Sequence, residues 1–112
     1  MDVAANLKDL PAAKLNPSSQ LATLLAIRAS IGNGDTAPKV VAKFREFTPY
    51  FTEQEGWDKV VIALKNDASF PLALAQSGLF ENELERIFTV TDETQKAVDA
   101  AIEFLSITLK QP

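Results

Sequence analysis

Fifteen carboxylates and eleven basic side chains carry the charge of this 112-residue sequence, which contains neither histidine nor cysteine. Imidazole proton shuttles, thiol nucleophiles, thiolate metal ligands and disulfides therefore have no residues to be built from. What remains is carboxylate chemistry. Glu53 with Glu55, Glu81 with Glu85, and Asp92 with Glu93 are spaced closely enough to act as acid and base or to hold a hard cation. A cation site of that kind needs oxygens converging from separated segments, or the Asp-x-Asp-x-Asp-Gly spacing of an EF-hand loop. The sequence has no such loop, and Asn33-Gly34-Asp35 is too short to be one. Most of these acids also fall in the first turn of an expected helix, where the macrodipole favours them for structural reasons. Gly-x-Ser-x-Gly, the phosphate-binding loop and the dinucleotide fingerprint are all missing. The sequence therefore predicts no catalytic residue, no cofactor, no metal ligand and no enzymatic activity.

Charge distribution says more than total charge. Residues 1–50 carry six basic against four acidic side chains, a net of +2, whereas residues 51–112 carry five against eleven, a net of −6. The acidic half repels phosphates and suits a basic protein partner, or is simply a solvated surface. Lys39, Lys43 and Arg45 form the one basic cluster, with the two lysines four residues apart on one helical face; it is a possible anion contact or again a solvated face. The longest uncharged apolar stretch, Leu21 to Ile27, is far short of the roughly 20 residues that span a bilayer, and no apolar run follows a basic start. The expectation is a cytoplasmic protein without a membrane partner.

The chain is long enough for one core, so residues 1–112 are expected to form a single all-α domain of five to six short helices, with residues 1–16 either a short helix or a loosely ordered arm. Asn16-Pro17 pairs a preferred N-cap with a preferred first helical residue and opens a helix to Ile31, with Leu21, Leu24, Leu25 and Ile31 inward and Gly32 as its cap. Asp35 or Thr36 caps a second helix, Ala37 to Phe47, striped by Val40, Val41, Phe44 and Phe47. Thr52 and Glu55 form a capping box for a third helix, to about Asn66, with Trp57, Val60, Val61 and Leu64 inward and Tyr50 or Phe51 as a staple. Ser69 caps a fourth, Phe70 to Ser77, and a fifth spans about Phe80 to Phe88, with Ile87 to Val90 the one segment that could rival as a strand. Thr91 caps the last, where Thr94, Val98, Ala101, Ile102, Leu105 and Leu109 share a face. Phe44, Phe47, Tyr50, Phe51 and Trp57 are either core or the lining of an apolar pocket.

Leu72 to Phe88 resembles a helix-turn-helix: a short helix, Gly78 where the chain must turn, Leu79 directly after it, then Leu84 and Ile87 in the second helix. Thr94, Val98, Ile102 and Leu105 resemble the helix that follows this motif in repressors of the LacI type. The resemblance implies a transcription-associated regulator. The second helix departs from the pattern, with Phe80 in the usual Ser or Thr capping position, and Glu81, Glu83 and Glu85 outnumber Arg86, which disfavours nucleic acid as a partner. The sequence reading is thus a non-enzymatic interaction or assembly module acting through an acidic helical surface, with Glu81, Glu83, Glu85 and Arg86 the partner-binding candidates and another protein or a second copy as partner. The alternatives are a regulator with a degenerate helix-turn-helix and a carrier of an apolar ligand.

Overall fold

The computed structural model describes residues 14–47 and 51–110, with the side chains of 47, 51 and 52 left aside. Residues 1–13 of the expected N-terminal arm, the staple by Tyr50 or Phe51, and the contributions of Phe47, Tyr50 and Phe51 to the aromatic cluster lie outside the described residues. The last residues of the expected arm are not loose, since the Leu15 N–H is bound to Leu79 O at 2.9 Å and Asn16 caps the first helix. Within them the chain is all-α, with six helices and no strand. These are α1 (Pro17–Gly32), α2 (Ala37–Phe47), α3 (Phe51–Lys65), α4 (Phe70–Gln76), α5 (Asn82–Val90) and α6 (Thr94–Lys110).

Two helix starts are set as local rules require. Asn16 Oδ1 accepts the Ser19 N–H at 2.8 Å, with Pro17 in the first turn of α1, and Ser69 Oγ accepts the Leu72 N–H at 3.2 Å, with Pro71 in the first turn of α4. Other boundaries differ from expectation. Helix α1 continues through Gly32, and the positive φ falls at Gly34 (90°), so Gly32 is not its cap. Helix α3 begins at Phe51, which places Thr52 inside the first turn rather than ahead of it. It ends in a Schellman turn, in which the Ala68 N–H reaches Ala63 O at 3.0 Å and the Asp67 N–H reaches Leu64 O at 3.2 Å, with Asp67 in the left-handed region (φ 66°). Helix α5 starts at Asn82, because Phe80 is fully buried in the preceding turn, edge-on to Phe88 with ring centroids 5.4 Å apart. Its last turn takes in Ile87 to Val90, the segment that could have been a strand. Thr91 ends α5 instead of opening α6.

The core is assembled from one face of each helix. Helix α1 buries Gln20, Leu24 and Ile27, one stripe at i, i+4 and i+7, so the expected face was rotated: Leu21 and Ile31 are half-buried and Leu25 is exposed. Val40 and Val41 of α2 are buried, and Phe44 stacks on the buried Trp57 of α3 with centroids 4.9 Å apart, so these two members of the aromatic cluster are core. Ala97, Val98, Ala101, Ile102 and Leu105 are the buried stripe of α6, while Leu109 lies beyond the core and is exposed. Helix α6 packs against α1, α4 and α5, and α3 packs against α2 and α4.

The α4–α5 corner has the turn that the sequence indicated. Gly78 takes φ 80°, Ser77 Oγ donates to Leu74 O at 2.7 Å and accepts the Leu79 N–H at 3.1 Å, and Leu79 is fully buried. Leu79 presses against α3 where Gly56 has no side chain: a Cβ on Gly56 would stand 2.5 Å from Leu79 Cγ. Gly56→Ala is therefore expected to destabilise the protein by about 1–3 kcal/mol through overpacking. Gly32→Ala, where a Cβ meets nothing within 4 Å, is expected to be neutral or to stabilise by up to ~1 kcal/mol. Urea denaturation with unchanged m-values reads both, and a Gly56→Ala midpoint equal to that of the parent would contradict the packing account.

Candidate functional site

The four partner-binding candidates of the sequence converge on α5. Glu81 holds the N-cap position with extended backbone, its N–H bound to Gln20 Oε1 at 3.3 Å, and Glu83, Glu85 and Arg86 follow in the helix. Glu83 and Arg86 are exposed, whereas Glu81 and Glu85 are half-buried. None of the three carboxylates has an ion-pair partner among the described residues. Val90, at the end of the same helix, is 82% exposed, and a shallow depression of about 370 Å³ is lined by Asn82, Glu85, Arg86, Thr89 and Val90. The surface is acidic with an apolar edge. Helix α5 also occupies the recognition-helix position of the corner, where Glu83 and Glu85 meet phosphate with repulsion.

The basic candidates are held internally. Lys39 Nζ and Lys43 Nζ stand 3.2 and 3.0 Å from the two oxygens of Asp35, and Arg45 Nε pairs with Asp58 of α3. Asp35 also accepts the Ser30 hydroxyl at 2.5 Å, so it closes the α1–α2 loop from both sides. The hydroxyl of Ser30, then the ammonium groups of Lys43 and Lys39, hold the Asp35 carboxyl well below the usual carboxylate range. An anion arriving at Lys39 and Lys43 would compete with a carboxylate already in place.

A third surface was not anticipated. Pro38, Ala42, Arg45 and Glu46 on α2 face Asp58, Val61, Ile62, Leu64 and Lys65 on α3 across an open groove of about 850 Å³. Ile62 is 59% exposed at its edge and also borders a second depression, which extends to Leu72 and Gln76 of α4. The aromatic side chains Phe44 and Trp57 do not line the groove; they stack on each other. The carboxylate pairs considered for a hard cation are not gathered into such a site: among the described residues no group of three or more acids could hold a metal ion. No helix among them is long and apolar enough to cross a membrane.

The Asp35 clamp has a pH signature. A carboxyl depressed in the folded state contributes stability that is fully present above its unfolded value, near ~4, and is lost as pH falls towards the lower folded value. Asp35→Asn is expected to lower the melting temperature by a few degrees at neutral pH, with the gap to the parent protein closing as pH drops below about 4. Thermal melts across pH 2–7 check this, and a gap that does not depend on pH would count against the clamp. Compared with known proteins, the chain matches no protein-family model, no curated protein and no solved structure.

Proposed function

We propose that this chain is a non-enzymatic interaction module that engages a basic, partly apolar protein segment through α5. The observation that carries this reading is the set of Glu81, Glu83 and Glu85, without counter-ions among the described residues, on the helix that ends in the exposed Val90. Carboxylates that are exposed or half-buried and lack an internal counter-ion accept lysine or arginine and steer association, while an adjacent apolar side chain supplies a contact that salt does not screen. The corner beneath them is fixed by Gly78, Leu79 and Ser77, so the acids are presented on a rigid support. An acidic helix in this position argues against the regulator reading, in which α5 would lie against DNA.

A synthetic helical peptide of alternating lysine and leucine faces is a suitable probe. Binding should weaken at least ~10-fold in Glu83→Lys/Glu85→Lys and as salt rises from low to physiological strength. Glu53→Lys/Glu103→Lys makes the same change in net charge outside α5 and should stay within about 2-fold of the parent. Equal losses in the two variants would show a diffuse charge effect and refute a site on α5. Duplex DNA bound at low salt and released by salt would favour the regulator instead.

A further inference from the structure

The α2–α3 groove is self-complementary, and we propose that it docks the same groove of a second copy, with the two α3 helices antiparallel about Val61-Ile62. The inference is independent of the partner assigned to α5. Asp58, Val61, Ile62 and Lys65 follow one another at i, i+3, i+4 and i+7 and line one side of the groove. They read acid, apolar, apolar, base. Turned end for end, that pattern becomes its own complement: with Val61 of one copy level with Ile62 of the other, each Asp58 stands opposite the other copy's Lys65.

The surroundings suit this arrangement. Lys65 has no carboxylate partner among the described residues, and the Asp58 side chain remains 45% exposed although it already pairs with Arg45. Glu46, next in the chain to Arg45, also lines the groove, so each junction would hold two acids, Glu46 and Asp58, against Arg45 and the incoming lysine. Between the junctions the groove is lined by Pro38, Ala42 and Val61, all smaller side chains than isoleucine. Ile62 is that side chain, standing between two depressions at 59% exposure. A two-fold axis through the middle of α3 sets the Ile62 of each copy in the other's groove. A 15-residue helix is ~22 Å long and its neighbour lies 8–10 Å away, so the contact is small by the standard of stable dimers and the expected dissociation constant is micromolar.

The test exploits the predicted pairing. Asp58→Lys places lysine against lysine, and Lys65→Glu places acid against acid, so each variant alone should dimerise at least ~10-fold more weakly than the parent protein. Mixed together, the two variants form a heterodimer in which both junctions again join opposite charges, and it should return to within about 3-fold of the parent affinity. Sedimentation of the parent from about 10 to 500 µM should show the mass rising above the 12.2 kDa monomer, and Ile62→Glu, at an exposed site and with its fold checked by circular dichroism, should abolish the rise. A parent that stays monomeric throughout overturns the proposal. So does a dimer that is insensitive to Ile62→Glu, or a variant mixture that associates no better than its components.

Discussion

Leu79 is where the chain is tied together, because three separate segments depend on where the α4–α5 turn places it. Gly78 supplies the positive φ that reverses the chain, and the Leu79 side chain then fills the space left by Gly56 on α3. The Leu79 carbonyl accepts the Leu15 N–H at 2.9 Å, which anchors the approach to α1. Two residues on, the Glu81 N–H is bound by Gln20, whose Nε2 donates to Leu15 O at 2.7 Å. A polar side chain buried to 2% exposure thus satisfies one backbone group at each end of the contact. If the turn were displaced, Gln20 would be left with buried groups unpaired and α3 with a void. The close approach and the polar network require the same geometry.

What could be read from the sequence is what short-range chemistry decides. Asn16-Pro17 and Ser69-Phe70-Pro71 mark helix starts because cap and first turn are adjacent in the chain, and both are found. The Gly78 turn is legible for the same reason. The misplacements have longer-range causes. Gly32 and Gly34 look equally suited to a helix end, and the choice rests on Asp35, which is drawn back to Ser30 and onto Lys39 and Lys43. Phe80 has good helix-compatible neighbours, but it is taken up by the core against Phe88, and the helix can begin only after it. Gln20 occupies a position where pattern alone expects an apolar residue; its partner is 61 residues away, so nothing local reveals that the amide would be satisfied.

The surfaces divide along the same line. The acidic character of α5 is visible in sequence because its charges are consecutive in the chain. Lys39, Lys43 and Arg45 also look like a charged surface, yet their partners are Asp35 and Asp58, and only the folded geometry shows that the cluster is largely neutralised from within. The groove is hidden further still. Val61 reads as a core residue by periodicity, and Pro38 and Ala42 read as nothing in particular, because a concave surface made by two helices has no signature on either one.

Exposed apolar side chains are ordinary on a protein of this size, and Leu25 or Ile107 standing alone needs no partner to account for it. Ile62 is distinguished by what adjoins it. A β-branched residue in an exposed helical position adds little to helix stability, and at 59% exposure it contributes little burial to the core. Leu79 shows what the fold does with an apolar side chain that it needs: it opens a glycine-sized gap and encloses it. Ile62 instead lies at the edge of an unfilled groove with Val61 and Ala42, between Asp58 and Lys65. In the proposed pairing a matching surface covers it, and the acid-to-base order along α3 is what would make a second copy of this chain such a surface.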